Sequence, residues 1–368
     1  MHALTSRFVG EILRPISRAP LFLTACAMTM ASPAWAAPHI VCVNNVTALH
    51  TELEKAGESG VNNDADTHIN LAVGTYATNN SIFQYGSAKT FTLDITGGYN
   101  SDCSKQITQN PIYTVLSGVG SSKLILQSNS MGDVSLRFLT FKGGKVAGGG
   151  SALSMNTAGS TGQVIIDYDI FTANQGGSAV DIGYSSLVQL DGNLFYGNVG
   201  DLATFFATNT VQFYAINNTF TQNVIFDTAD GAYTLAVQGA SGFSAAVSNN
   251  IFFNNSFTNT HGSTDYDIAM VGSAGSTVQL EKNIAHVVEV LGATATNSDL
   301  PGNPDPQFAS STDFHLLPTS PGIAAGTLTP PGGLPSIDIQ GNPRTFNGSV
   351  DLGAYERGDD IFRDGFGF

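Results

Sequence analysis

The chain has 368 residues, of which 42% are hydrophobic and only 12% are charged, and its formal net charge is −15. This composition is too apolar for a disordered chain and too polar for a bundle of membrane helices. The acidity argues against a nucleic-acid partner, because phosphate binding needs a basic patch, and it would repel a polyanionic sugar such as pectate unless Ca²⁺ screened the charge.

Residues 1–36 are predicted to be an export signal. Arginines precede an apolar stretch over 20–31 that is too short to span a bilayer, and Ala34-Trp35-Ala36 fits the small-x-small cleavage rule. Cleavage after Ala36 would leave a net charge of −17, because the segment holds three Arg and one Glu. A second interpretation stays open, since Leu23-Thr24-Ala25-Cys26 looks like a lipoprotein box that would acylate Cys26 and anchor the protein.

A short amphipathic helix is predicted at the start of the mature chain. Over residues 46–57, Val46, Leu49 and Leu53 recur at i, i+3 and i+7. A strand follows at 69–73. A helix before the first strand of a stacked sheet would cover the open end of its core.

Two cysteines, Cys42 and Cys103, remain once the signal is removed. In an oxidising compartment a lone pair favours a disulfide that staples the N-terminal end of the fold. Two free buried thiols are the alternative.

An internal repeat occupies the middle of the chain. Short segments end in an apolar anchor residue, and successive anchors are 24, 25, 32 and 33 residues apart. The anchors are Phe171, Phe195, Phe220, Phe252 and Ala285. Because the two longer spacings exceed the shorter ones by about eight residues, we expect one inserted loop in each, at roughly 225–245 and 256–277.

Polar residues accompany the anchors at fixed offsets. Two residues before the anchors lie Asp169, Asn193, Asn218, Asn250 and Asn283, and three residues after the first four lie Asn174, Asn198, Asn223 and Asn255. Asn tolerates the left-handed backbone region and so suits a sharp bend between strands. Turns stacked at strand spacing, about 4.8 Å, would let these amides hydrogen-bond along a ladder. We therefore assign them to the corners of a coil rather than to catalysis.

A further strand series lies between the corners, with Ser154, Asp181, Ala236 and Ala269 facing outward. Three strands per turn, paired in parallel with the neighbouring turns, predict an all-β, right-handed parallel β-helix with a short N-terminal capping helix. This solenoid is expected over residues 37–300. C-terminal turns and a cap over 301–357 and a short tail over 358–368 would follow.

The C-terminal part carries several motifs that support this fold. They are Asp305-Pro306-Gln307-Phe308, Asp313-Phe314-His315-Leu316, Ser320-Pro321-Gly322-Ile323-Ala324-Ala325-Gly326, Gly341-Asn342-Pro343-Arg344 and Asp351-Leu352-Gly353-Ala354-Tyr355-Glu356. With them the chain resembles the choice-of-anchor Q proteins, which are secreted parallel β-helix proteins of the pectin-lyase-like superfamily. The resemblance touches most of residues 40–356 and implies fold and export, not a reaction.

Three features of the C-terminal part bear on its role. Family members often have Asp where this chain has Ala324, so the role of that Asp does not carry over. From the residues themselves, we expect Arg344 to pair with Asp351 or Glu356 and close the last turn. The tail over 358–368 looks similar to sorting tails on exported proteobacterial proteins, which implies the outer surface or exterior of a Gram-negative bacterium.

Few acidic residues outside the ladder positions are candidates for catalysis or metal binding. Asp167 and Asp191 share a column four residues before the anchor Phe, so they could stack on adjacent strands and raise each other's pKa or bind a cation. With the outward Asp181 they are candidate catalytic residues, although solvated surface acids are the simpler interpretation. Asp265 and Asp267 could bind Ca²⁺ in an inserted loop. The strong bases of the repeat region are expected to lie away from carboxylates.

The sequence leaves two functions open. One is an exported or cell-surface rod that binds glycans, adheres or supports structure without catalysis, with an extracellular glycan or surface component as partner. The other is a polysaccharide lyase or glycoside hydrolase, because such enzymes place carboxylates on one outward face. No cofactor is expected apart from Ca²⁺, and a membrane would be met only through an anchor at Cys26 or through the tail.

Overall fold

The structure, a computed structural model, describes residues 36–78, 81–118, 126–157, 162–226, 231–258 and 264–357. The predicted export signal up to Trp35, with Cys26, and the tail over 358–368 lie outside the described residues. Within the described ranges no helix is both long enough and apolar enough to cross a membrane.

Short strands dominate the chain. The helical elements are α1 (Val46–Ala56) and a 3₁₀ helix at Pro111–Tyr113. The strands are β1 (His39–Val43), β2 (Thr67–Ala72), β3 (Gly74–Ala77), β4 (Phe83–Ser87), β5 (Leu93–Tyr99), β6 (Thr114–Ser117), β7 (Leu126–Ser130), β8 (Val134–Arg137), β9 (Thr140–Lys142), β10 (Lys145–Thr157), β11 (Gln163–Asp167), β12 (Ile170–Thr172), β13 (Gln175–Asp191), β14 (Leu194–Tyr196), β15 (Val199–Asp201), β16 (Ala203–Ile216), β17 (Thr219–Thr221), β18 (Val224–Phe226), β19 (Ala232–Ser248), β20 (Ile251–Phe253), β21 (Ser256–Thr258), β22 (Asp265–Glu281) and β23 (Val288–Ser298).

These strands coil into a parallel β-helix with three faces per turn. The first face holds β1, β2, β5, β8, β11 and the C-terminal parts of the long strands β13, β16, β19, β22 and β23. The second face holds β3, β6, β9, β12, β14, β17 and β20, and the third holds β4, β7, β10 and the N-terminal parts of the long strands. Neighbouring turns pair in parallel on each face. The predicted all-β parallel β-helix with one short helix is confirmed.

The long strands differ from the expected three separate strands per turn. From β13 onward the third-face strand runs without a break into the first face of the next turn. Tyr184 in β13 and Asn209 in β16 absorb the bend, with φ of +51° and +52°. Single residues in the left-handed region therefore turn the chain while the pairing on both sides continues.

A column of stacked Phe rings fills the second-face side of the core. The rings of Phe141, Phe171, Phe195, Phe220 and Phe252 are fully buried, and successive centroids are 4.9, 4.6, 4.5 and 4.8 Å apart. These distances match those of stacked aromatic pairs, and each buried ring stabilises the fold by about 2–3 kcal/mol. The predicted anchors are thus the core of the coil.

Two hydrogen-bonded ladders run along the coil beside the Phe column. The first ladder, between the first and second faces, consists of Asp169, Asn193, Asn218, Asn250, Asn283 and finally Asp299. The second ladder, between the second and third faces, consists of Asn174, Asn198, Asn223 and Asn255. From each Asn rung that is followed by another, the backbone N–H and the side-chain Nδ2 both donate to Oδ1 of the next rung, whereas Asp169 donates only its backbone N–H. The predicted ladders are confirmed.

The bend itself lies one residue earlier than expected. The residues with positive φ are those that precede the ladder residues, for example Tyr168 (+59°), Asn217 (+56°), Asn249 (+60°) and Asn254 (+56°). The assignment of the left-handed conformation to the ladder Asn residues was therefore wrong. A side chain that must point along the coil axis to the next rung is better served by the extended residue just after the bend.

Of the two predicted inserted loops, residues 227–230 and 259–263 lie outside the described residues. The described residues of 225–245 and 256–277 fall largely in strands β19 and β22. The extra length is concentrated at two places, because Phe226 lies opposite Asp201 while Tyr233 lies opposite Ala203, and a register shift follows between Gln238 and Ser244. Periodicity alone gives the length of an insertion but not where in the turn it falls.

Helix α1 closes the N-terminal end of the coil. Asn45 caps the helix, since its side chain accepts from the N–H of Ala48 at 2.9 Å. Leu49 and Leu53 are buried against the first turns. Cys42 and Cys103 form the predicted disulfide, with their Cα atoms 5.4 Å apart.

The C-terminal segment 301–357 folds back along the second face. Phe314, Ile339 and Ala354 form a buried cluster with Ile170 and Leu194. A second cluster joins Leu316 and Leu352 of the segment to Ile251 and Ile284. The segment therefore covers one side of the coil.

Arg344 lies in the centre of this segment with an exposed fraction of only 1%. Its guanidinium donates to the carbonyls of Ile337, Gly353 and Ala354 at 3.2, 3.0 and 2.9 Å. Glu356 instead accepts from the N–H of Asp351 at 3.0 Å. We expected Arg344 to pair with a carboxylate, but its hydrogen bonds hold together the carbonyls of an irregular segment.

Candidate functional site

Asp167 and Asp191 lie on adjacent strands at the edge of the first face. The register of β11 and β13 places the two residues opposite each other, with Arg137 of β8 next in the column. Arg137 Nε is 3.1 Å from Asp167 Oδ2, and Arg137 Nη1 is 3.6 Å from Asp94 Oδ2. The expectation that the bases of the repeat lie away from carboxylates was wrong, because Arg137 lies four residues before Phe141, which is not among the predicted anchors.

Both carboxyl groups are buried. Asp167 and Asp191 have exposed fractions of 8% and 6%. Burial raises the pKa of Asp167 to about 6, although Arg137 acts in the opposite direction. Burial, and then the charge of Asp167, raises the pKa of Asp191 well above its ordinary value. Gln189 Nε2 donates to Asp191 Oδ2 at 2.6 Å.

The C-terminal segment covers this column. A Cβ added to Gly192 would lie 3.3 Å from Arg344 Nη2, and the side chain of Tyr168 hydrogen-bonds to Ser336. The neighbours of the carboxyl pair therefore contact the returning segment, and Oδ1 of Asp167 and of Asp191 is buried without a hydrogen-bond partner among the described residues.

Asp181 belongs to a different surface, the outward row of the third face. The strand register gives this row as Ser154, Asp181, Phe206, Ala236, Ala269 and Glu289. Asp181 is therefore not brought together with Asp167 and Asp191. The outward row predicted from the sequence left out Phe206 of β16 and Glu289, which lies after the last predicted anchor, Ala285.

An aromatic strip follows this row towards the C-terminal end of the coil. We use this name for Phe206, Tyr233 and Tyr266 with Ala203, Ala236 and Ala269. The three Ala residues are buried by contact with Phe206 and Tyr233, and the rings of Tyr233 and Tyr266 stack with centroids 5.8 Å apart. All three aromatic residues remain partly exposed. The strip thus combines a stacked Tyr pair with Phe206 in a neighbouring column, joined through the buried Ala residues of β16, β19 and β22.

Asp265 and Asp267 line a cavity of about 510 Å³ near the C-terminal end of the coil. Asn255, Phe257, His286 and Asn303 also line this end cavity. It exists because the last turn is short: after Ile284 the chain passes through His286 directly into β23, without a strand that continues β21.

Asp267 is the most buried acid of the end cavity, with an exposed fraction of 7%. Its Oδ2 accepts from the N–H of His286 at 2.7 Å. Burial raises its pKa to about 6, and the hydrogen bond from His286 acts in the opposite direction. In the described part of the chain no group of three or more His, Cys, Asp or Glu side chains could hold a metal ion. Ca²⁺ binding by Asp265 and Asp267 stays a prediction.

The second ladder ends in the same cavity. Asn223 donates from N and Nδ2 to Asn255 Oδ1 at 3.2 and 2.9 Å, and Asn255 Nδ2 donates back to the carbonyl of Phe220 at 3.0 Å. Asn255 lies at the cavity wall. Sequence reasoning identified Asn255 as a ladder residue but gave no sign that the ladder ends at a cavity.

Comparison of the sequence with protein-family models finds no match. A comparison with curated proteins finds no significant match either.

Proposed function

We propose that this protein is an exported or cell-surface β-helix, of the choice-of-anchor Q type, that binds glycans without cleaving them. The aromatic strip is the observation that carries the proposal. Partly exposed aromatic faces in a row on a rigid sheet offer apolar contact to sugar rings at little cost in conformational entropy. A contiguous aromatic surface of this kind marks an interaction site.

The buried carboxyl pair supports the non-catalytic part of the proposal. Asp167 pairs with Arg137, Asp191 accepts from Gln189, and both carboxyl groups are buried. A glycosidase needs two carboxyl groups that flank the bond to be cleaved. Asp181 lies on another face, next to neutral side chains.

Binding to immobilised neutral, acetylated and uronate glycans tests the proposal. We expect saturable binding of at least one glycan without release of products, and about tenfold weaker binding by Tyr266→Ala, because loss of one stacked ring costs on the order of 1 kcal/mol. Tyr113→Ala is the matched control, since Tyr113 is 54% exposed and lies outside the strip. Specific cleavage of any glycan by the purified protein would overturn the proposal.

One observation favours the alternative, a polysaccharide lyase or glycoside hydrolase. The pKa of Asp167 is raised to about 6 beside a paired Arg137, and groups with shifted pKa values cluster at catalytic sites. The same glycan panel, with and without Ca²⁺, decides between the two functions. The alternative requires cleavage that Asp167→Asn abolishes.

A further inference from the structure

Asn255 is the last rung of the second ladder, and two of its hydrogen-bond donors have no acceptor in the described part of the chain. The earlier rungs use the same two donors to bind the next rung. Asn174 and Asn198 each donate from N and Nδ2 to Oδ1 of the next rung, at 3.2 and 2.9 Å and at 3.1 and 2.9 Å. Among the described residues neither the N–H of Asn255 nor its second Nδ2 hydrogen reaches an acceptor. Both donors belong to a residue that lines the end cavity.

The first ladder shows how the last Asn of a ladder is satisfied when an acceptor is present. There Asn283 is the last Asn, and its N and Nδ2 donate to Asp299 Oδ1 at 3.0 and 2.7 Å. The chain itself supplies an oxygen that accepts both bonds. Since the two ladders share one geometry, an oxygen placed in the same way above Asn255 would accept two hydrogen bonds.

The end cavity also presents acceptors. Asn303 Oδ1 is buried without a hydrogen-bond partner among the described residues, and it lines the same cavity. A buried acceptor left unpaired is costly, so such a group favours a ligand that can donate to it. Asp265 and Asp267 add carboxylates that can accept from hydroxyl groups.

An acetamido group matches this arrangement. Its carbonyl oxygen is the same kind of acceptor that each Asn offers to the rung below, and its N–H is a donor for Asn303. The two carboxylates disfavour a uronate or sulfated sugar through like-charge repulsion. Phe257 supplies an apolar wall, and the volume of about 510 Å³ lies in the range typical of small-ligand sites.

We propose that the end cavity is a binding subsite for an N-acetylated amino sugar, whose acetamido carbonyl accepts from Asn255 and whose N–H donates to Asn303 Oδ1. This inference rests on the proposed glycan-binding function and gives that function a ligand class and a site separate from the aromatic strip.

Calorimetric titration with matched sugars tests the ligand class. The probes are the tetramers of N-acetylglucosamine and glucosamine, the monosaccharides N-acetylgalactosamine and galactosamine, and a galacturonate tetramer. We expect an acetylated sugar to bind at least about tenfold more tightly than its deacetylated counterpart, because the latter lacks the carbonyl oxygen that would accept from Asn255 and the amide N–H that would donate to the buried Asn303 Oδ1. Equal binding within both pairs, or preferred binding of the galacturonate tetramer, would overturn the proposal.

Two variants test the residues. Asn303→Gly removes the acceptor while tolerating the positive φ of +44° at this position. Asn255→Asp keeps the oxygen that accepts from Asn223 but replaces the Nδ2 donor with an acceptor. Each variant is expected to weaken binding of the acetylated sugar about tenfold or more.

Asn347→Gly is the matched control for Asn303→Gly, since Asn347 is exposed and has a φ of +50°. Thermal melts establish that each variant is folded. Glycan binding that all cavity variants retain at full strength would refute the subsite and leave the proposed function standing. No binding of any glycan would refute both.

Discussion

Asp169 is the first rung of the first ladder, and the four rungs that follow it are Asn. Its Oδ1 accepts from the N–H of Leu139 at 2.7 Å, but its Oδ2 is buried without a hydrogen-bond partner among the described residues. At the next rung, Asn193 Nδ2 donates to the carbonyl of Ile166 at 2.7 Å. Burial raises the pKa of Asp169 well above its ordinary value, with Asp167 adding to the effect and Arg137 opposing it. A neutral Asp169 fits the ladder better than a charged one.

Replacing Asp169 by Asn should therefore stabilise the protein at neutral pH. The folded protein holds the Asp169 proton more tightly than the unfolded chain, so its stabilising effect is complete below the unfolded pKa of about 3.9 and falls as the pH rises towards the folded pKa. We expect Asp169→Asn to raise the free energy of unfolding at pH 7 by about 1–3 kcal/mol. Denaturant unfolding from pH 4 to 8 measures this, with the exposed Asp201→Asn as control. An unchanged pH profile would contradict a raised pKa.

Ala324 is a second residue whose conformation suits another side chain. Its φ is +52°, and its N–H donates to Asp351 Oδ1 at 2.7 Å. The left-handed region costs an ordinary residue roughly 1–2 kcal/mol, whereas Asn and Asp enter it readily. The backbone conformation at this position therefore suits Asn or Asp better than Ala.

Ala324→Asn should accordingly raise the free energy of unfolding by up to about 1 kcal/mol. Ala309→Asn provides the comparison, because Ala309 is exposed and is not among the residues with positive φ. Urea unfolding of both variants at one pH is sufficient. Equal effects of the two substitutions would show that backbone strain at Ala324 is not what the Asn relieves.

At the scale of elements, the sequence repeat predicted the features that depend on contact between equivalent residues of neighbouring turns, namely the Phe column and the ladders. Phe171 and Phe195, and Asn193 and Asn218, recur at one offset because each contacts its own counterpart one turn away. The end cavity and the Arg137 ion pair could not be predicted in this way. The cavity depends on the shortened last turn. Arg137 belongs to the turn of Phe141, where Leu139 stands at the position of the ladder Asn and the repeat motif is therefore absent.

The disulfide is a further element-scale device, because it fastens β1 to the chain beyond β5. Cys42 and Cys103 are 61 residues apart, and closing a loop of this length in the unfolded chain is worth about 4 kcal/mol. We expect reductant to lower the melting temperature of the protein by several degrees, and Cys42→Ser/Cys103→Ser to melt at the reduced temperature. Reductant should leave the double variant unchanged. A wild-type melt insensitive to reductant would mean that the N-terminal turns gain nothing from the disulfide.

At the scale of the whole molecule, the coil and the returning segment 301–357 are stabilised by different contacts. The coil relies on repeated contacts between its turns. The segment relies on two apolar clusters and on hydrogen bonds that do not repeat from turn to turn, such as Asn217 Nδ2 to the carbonyl of Asp351 at 2.8 Å and the N–H of Ala354 to Thr219 Oγ1 at 2.9 Å. Asn249 also exchanges two bonds with Thr327, at 2.9 and 2.8 Å. The segment is therefore the part of the fold most exposed to a change in one group.

Glu356 is an ionisable group inside the segment 301–357, and we expect its titration to make docking of the segment on the coil depend on pH. Burial raises its pKa to about 8; its neighbours Asp351 and Asp338 raise it further, while Arg344 and the N–H of Asp351 lower it. Since the folded protein binds this proton more tightly, the stabilisation is complete below the unfolded pKa of about 4.3 and is lost as the pH rises to about 8.

Hydrogen exchange in residues 301–357 should therefore quicken relative to the coil between pH 5 and 8.5, after correction for intrinsic rates. Glu356→Gln keeps an acceptor for Asp351 and should flatten this dependence. If the segment and the coil lose protection in parallel in both proteins, Glu356 does not control the docking.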